Sequence, residues 1–218
     1  SECDGCDPGL FKVTVVSTDD GSTEDECHQC PSGWFSAKQN TETCKECPLG
    51  FYANDSPSPD DVLRFDRCSS CGRGKYGAKT KANNETDGCE NCPRGKYSEN
   101  EGIESDDGCQ GCPSGRWSAT LGITKESLCK NCGAGKHGSI LAGSSSLSSC
   151  IDCGRGRYGT TVGAFGMEDS CAECAPGNVQ NKTGQSFCLP CTPGERQPLP
   201  GSPTCIRCLA GRSSFEIS

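Results

Sequence analysis

Apolar residues along this chain do not recur with the 3.6-residue period of an amphipathic helix, and no stretch reads as a long one. The longest candidate hydrophobic stretch, Val13–Val16, has only the length of a short strand. Nothing approaches the roughly 18 residues of a membrane span. The pattern that does recur is shorter. Every cysteine belongs to a Cys-x-x-Cys pair, and eleven pairs open at Cys3, Cys27, Cys44, Cys68, Cys89, Cys109, Cys129, Cys150, Cys171, Cys188 and Cys205. Successive pairs start 17 to 24 residues apart, and so regular a period marks an array of small repeats. Three residues after the second cysteine of each pair stands a glycine: Gly9, Gly33, Gly50, Gly74, Gly95, Gly115, Gly135, Gly156, Gly177, Gly194 and Gly211. A tight turn needing positive φ is the predicted reason. Two residues further comes a ring at Phe11, Phe35, Tyr52, Tyr76, Tyr97, Trp117, His137 and Tyr158, replaced in the last three repeats by Val179, Arg196 and Ser213. The ring is expected to cover the adjacent cystine and to be each repeat's whole core.

Composition explains why the repeats need staples. Leu, Ile, Val and Phe together make only 29 of the 218 residues, a content that by itself describes a disordered chain. The 22 cysteines reverse that reading and point to a covalently stapled scaffold instead of a single large hydrophobic core. The net charge of -8 and pI near 4.9 argue against nucleic acid as a partner. Charge is also lopsided: residues 1–109 carry 22 acidic and 11 basic side chains, residues 110–218 carry 7 and 10. Ends of opposite sign can attract one another, although solvated surfaces vary this much too. In the middle repeats the residue before the ring is basic (Lys75, Lys96, Arg116, Lys136, Arg157), which reads as a solvated edge ahead of a positive stripe.

The signature Cys-x-x-Cys-Pro-x-Gly-x-aromatic-Ser, clearest in Cys89–Ser98 (CENCPRGKYS) and Cys109–Ser118 (CQGCPSGRWS), resembles the cysteine-rich repeats of ephrin-receptor-like and tumour-necrosis-factor-receptor-like ectodomains. The resemblance covers nearly the whole chain and is specific for architecture more than for function. It implies that each second cysteine pairs with the first cysteine of the next pair: Cys6–Cys27, Cys30–Cys44, Cys47–Cys68, Cys71–Cys89, Cys92–Cys109, Cys112–Cys129, Cys132–Cys150, Cys153–Cys171, Cys174–Cys188 and Cys191–Cys205. Each bridge would be worth about 3 kcal/mol by loop entropy. Disulfides within the Cys-x-x-Cys pairs are the alternative, with the small ring of reducible redox pairs.

Under that pairing Cys3 and Cys208 are left over. Cys208 opens a further repeat, with Gly211 at the turn position and no closing cysteine, whereas Cys3 looks like a closing cysteine without its opening half. Three readings stay open: chains joined head to tail, through a Cys208–Cys3 disulfide or without one, as an open filament; a segment of a longer repeat protein; or termini paired within one chain, which a rod disfavours. The missing start methionine suits a processed chain or a fragment.

Other chemistries are weighed against this one. Pairs of Cys-x-x-Cys can hold zinc, and Cys68–Gly72 and Cys150–Gly154 resemble zinc knuckles, but eleven pairs would strand one. A thioredoxin-like centre lacks its βαβ framework. The only histidines, His28 inside a pair and His137 at a ring position, have no nucleophile arrangement around them, so no catalytic residue, cofactor or metal site is assigned. Acidic clusters at Glu24–Glu26, Glu85–Asp87 and Glu104–Asp107 lack the ordered spacing of a Ca²⁺ site and read as solvated loops. Asn54, Asn84 and Asn181 head Asn-x-Ser/Thr sequons, predicted glycan sites in variable loops. Ser56–Pro59 and Ser144–Ser149 suit O-linked sugar by composition.

The expected fold is therefore an array of small disulfide-rich repeats, mostly β-hairpins and turns, elongated and rod-like with little helix. Residues 1–218 should hold about ten complete repeats and a half-repeat at each end (1–5 and 206–218). The ends, which lose the rings from Cys174 onward, are expected to mark an interface. The expected function is that of an extracellular, glycosylated structural subunit, not an enzyme, whose partners are copies of itself. Neither nucleic acid nor membrane insertion enters this reading. A receptor-type ligand-binding ectodomain is the alternative.

Overall fold

A computed structural model describes residues 5–53, 67–138 and 143–209. Ten two-stranded antiparallel hairpins make up the described chain. Each takes its first strand from the residues after a turn glycine and its second from the middle of the next Cys-x-x-Cys pair, as in Trp117 opposite Lys130 and Val179 opposite Leu189. The first hairpin is the longest, with β1 (Leu10–Val16) and β2 (Thr23–Gln29) at seven residues each. Among the described residues, helix is confined to α1 (Glu85–Gly88), α2 (Met167–Ser170) and three 3-10 turns at Asp106–Gly108, Glu126–Leu128 and Leu147–Ser149.

The turn combines an i to i+3 hydrogen bond with a positive-φ glycine at its third position, which makes it type II. At Pro113–Arg116 the Arg116 N–H donates to Pro113 O at 3.0 Å. The ten described turn glycines have φ between 76° and 89°, a region that side chains with a Cβ enter only at a cost. The same glycine then closes its hairpin: its carbonyl accepts from the second cysteine of the next pair, at 2.7–3.1 Å in all ten repeats.

Disulfides join Cys6–Cys27, Cys30–Cys44, Cys47–Cys68, Cys71–Cys89, Cys92–Cys109, Cys112–Cys129, Cys132–Cys150, Cys153–Cys171, Cys174–Cys188 and Cys191–Cys205, with Cα atoms 5.5–5.8 Å apart. We number the repeats 1 to 10 by these bridges. The buried interior consists mainly of the cystines themselves and of the residue after the ring: Ser36, Ala53, Ser98, Ser118, Gln180 and Gln197. The rings play a smaller part than expected. Tyr97 and His137 are buried, but Phe11, Phe35, Tyr52, Tyr76, Trp117 and Tyr158 are only half-buried. The ring lies beside its cross-strand neighbour, as in Tyr76, whose hydroxyl donates to Glu90 at 2.7 Å.

By contact the chain forms two compact units. The first comprises Ser1–Pro93, Tyr97–Gln110 and Gly122–Lys125; the second comprises Arg94–Lys96, Gly111–Leu121 and Glu126–Ser218.

Candidate functional site: the ladder between repeats

Successive repeats are joined by backbone groups within each compact unit. One contact starts from a loop residue with positive φ, which points its N–H back at the preceding repeat. In the first unit, Asn40, Lys81, Gly102 and Gly122 donate to the carbonyls of Cys6, Cys47, Cys71 and Cys92 at 2.8–3.0 Å. In the second, Gly143, Gly163, Gly184 and Gly201 donate to Cys112, Cys132, Cys153 and Cys174 at 2.8–2.9 Å. Another contact runs the other way, from the residue after the ring to the next repeat's loop: Gly77 to Ile103 at 2.9 Å and Gly138 to Ala164 at 2.8 Å.

These bonds hold the repeats so close that the turn glycine also touches the repeat two further on. A Cβ placed on Gly74 would lie 2.3 Å from Gly122 O, and one on Gly115 2.2 Å from Gly163 O. Because the ladder uses main-chain groups, it demands little of side-chain identity beyond small residues where backbones meet.

The last two described repeats adapt the buried position. Gln180 and Gln197 take the place of the earlier serines and each reaches across its own loop. Gln180 Nε2 donates to Phe187 O at 2.8 Å while its Oε1 accepts from Lys182 N–H at 3.1 Å. Gln197 does the same with Thr204 O at 2.7 Å and Leu199 N–H at 3.1 Å. Ser98 and Ser118 make the shorter version of this cap, accepting from Asn100 and Thr120 N–H at 3.2 Å.

The remaining candidate residues fall as follows. Cys208 bears a free, half-exposed thiol, and its N–H donates to Gly194 O at 2.8 Å just as the disulfide-bonded second cysteines do. Cys3 and Asn54 lie outside the described residues, as do Ser56–Pro59 and Gly211. Asn84 and Asn181 are exposed. Asn84 is the N-cap of α1, its Oδ1 accepting from Asp87 N–H at 2.9 Å, so the side-chain nitrogen that would carry sugar is not used by the cap. The knuckle-like cysteines Cys68, Cys71, Cys150 and Cys153 are all in disulfides. Among the described residues no group of three or more His, Cys, Asp or Glu is placed to hold a metal ion, and no helix is long and apolar enough to cross a membrane.

The acidic clusters are not the loops expected of them. Glu24–Glu26 lies on β2, Glu85–Asp87 on α1, and Asp106 and Asp107 on a 3-10 turn. The basic edge is largely neutralised by neighbours: Lys75 pairs with Glu85 at 2.8 Å, Arg116 with Glu126 at 3.2 Å, Arg157 with Glu173 at 2.8 Å, and Lys136 with Asp152. Exposed pairs like these contribute little stability. His28 sits on β2 with Nε2 3.0 Å from Glu26, and His137 is buried with Nδ1 3.3 Å from Gly138 O.

Sequence reasoning missed the second column of positive-φ residues. Its signal was present: seven of the eight stand ten residues after the second cysteine of their own repeat, and Gly143 stands eleven after. Asn40 and Lys81 hide the column because they adopt that backbone without being glycine.

No protein-family model matches the chain, and a search of curated proteins found no match. The architecture itself defines a cysteine-rich, disulfide-bonded repeat protein. Ten disulfides are consistent with an extracellular or secreted setting, where such bonds form and persist.

Proposed function

We propose that this chain is a non-catalytic extracellular structural protein, glycosylated at Asn54, Asn84 and Asn181, that assembles head to tail into a filament or matrix fibre. The backbone ladder is the observation that carries this reading. A contact built from main-chain donors and acceptors, with small residues at the meeting points, extends to any further repeat of the same kind, including one supplied by a second chain. Cys208 supports the covalent version, since it holds the backbone position of a second cysteine with its thiol free. The likeness to ephrin-receptor-like and tumour-necrosis-factor-receptor-like repeats belongs to the same reading, as an architecture put to a structural use.

The test compares reducing and non-reducing gels of the purified protein, with peptide mapping of Cys3 and Cys208. The expected result is a ladder of multimers that collapses on reduction and yields a Cys208–Cys3 cross-linked peptide. Multimers without that peptide would restrict the reading to non-covalent assembly. A protein monomeric by gel, sedimentation and electron microscopy would overturn it in favour of a receptor-type binding module.

A further inference from the structure

Two surfaces combine exposed apolar side chains with charge that has no partner. In the first compact unit the only exposed large hydrophobic residues among those described are Val15 and Val16, both on β1. The register sets Val15 opposite Glu24 and Val13 opposite Glu26, so these four share one face of the β1–β2 hairpin. Glu24 has no ion pair among the described residues, and Glu26 meets only His28, at 3.0 Å. Asp25 is on the other face, held by Lys12 at 2.5 Å and by the Thr14 hydroxyl at 2.8 Å.

The second surface lies on the hairpin of repeat 10. Opposite the ring position, repeats 1 to 6 place polar residues, from His28 to Lys130, whereas repeats 7 to 10 place Ile151, Ala172, Leu189 and Ile206. Ile206 is directly across from Arg196, which occupies the ring position of repeat 10. Leu189, Arg196 and Ile206 are all exposed. Arg196 has no ion pair among the described residues, and the neighbouring Glu195 accepts from the Thr192 hydroxyl at 3.0 Å. Glu195 is also the only acid between residues 174 and 209, against Lys182, Arg196 and Arg207.

We propose that these surfaces are the two halves of one interface: the Val13–Val15–Glu24–Glu26 face of one copy docks on the Arg196–Ile206 face of a second copy. This rests on the filament reading above and names the side chains that would make its joint. Each surface sets an aliphatic side chain beside a charge, and the charges are of opposite sign. Apolar contact supplies attraction, while bringing Arg196 to the glutamates fixes orientation and speeds encounter. Two acidic faces repel, as do two basic ones, so the pairing that remains is heterologous and leaves a free half at each end.

Charge reversal tests it on the full chain, by sedimentation velocity, with disulfide mapping to show that each variant retains its ten bridges. E24K/E26K alone and R196E alone should each weaken self-association by about tenfold or more. Mixing the two variants should restore it, because each lysine face then meets a glutamate and each native face a native partner. Salt near 1 M, with a Debye length of about 3 Å, should weaken the wild type likewise. Assembly of both variants at wild-type strength would overturn this interface and leave the filament reading standing. A wild type that does not self-associate at any concentration would remove both. Variants that fail alone and also fail when mixed, with bridges intact, would count against the pairing proposed.

Discussion

At single residues the fold asks for small size and unusual backbone together, and the two demands can be separated. Gly74 has φ +76° and faces Gly122 O, while Gly21 has φ +70° and nothing within 4 Å of where a Cβ would stand. Gly21→Ala should therefore cost only the backbone term, about 1–2 kcal/mol. Gly74→Ala adds a clash with a carbonyl and should cost at least about twice as much in urea unfolding under non-reducing conditions; equal losses would show that the repeats part easily. Gln180 makes a different demand. Its side chain is 1% exposed and satisfies one donor and one acceptor of its own loop. Gln180→Ala should cost about 1–3 kcal/mol, because Phe187 O and Lys182 N–H lose their buried partner. Faster amide exchange confined to residues 181–187 would locate that loss.

Among the elements, the β1–β2 hairpin and α1 should both lose stability in acid, since Asp25 on the first and Asp87 on the second are held below the ordinary carboxylate value by lysine partners. Asp25 is held below the ordinary carboxylate range of 3.8, first by its hydrogen bond with Lys12 and then by that from Thr14. A depressed folded value stabilises the hairpin above the unfolded pKa and loses that stabilisation as pH falls through the folded one. The Asp25 carboxyl, followed by NMR, should titrate with a midpoint below 3.8, and Lys12→Ala should move the midpoint upward. An unchanged midpoint would remove Lys12 as the cause. Elements of this kind were only partly legible in the sequence. Turn glycines and short strands followed from offsets, because a type II turn has few chemical solutions. Seven-residue strands at β1 and β2 did not, since TEDECHQ carries no strand-like alternation of its own and is ordered by pairing with LFKVTVV. The rings misled as well: most lie half-buried beside a cross-strand neighbour, and burial falls largely to the residue after the ring.

Across the whole molecule the question is how far a local loss spreads. An ordinary domain shares one core and unfolds as a unit. Here the buried groups are chiefly cystines, each closing its own repeat, and neighbours are linked by a few main-chain bonds. Within each compact unit that is the arrangement of a repeat array, whose stability is a sum of repeat terms and of terms linking each repeat to the next and to the one after it. Removing Cys112–Cys129, which closes a separation of 17 residues, should cost about 3 kcal/mol. The loss should be concentrated in repeat 6 and the bonds it shares. In the native chain the Gly143 amide donates to Cys112 O, and the Cys112 amide donates to Gly95 O. Both backbone amides should exchange faster in the Cys112→Ala/Cys129→Ala variant. The amides of Asn40 in the first compact unit and Gly201 in the second, bonded to Cys6 and Cys174, should keep their protection. If those distant amides lose protection to the same degree, the repeats share a cooperative core after all, and a joint built by adding one repeat to the next loses its physical basis.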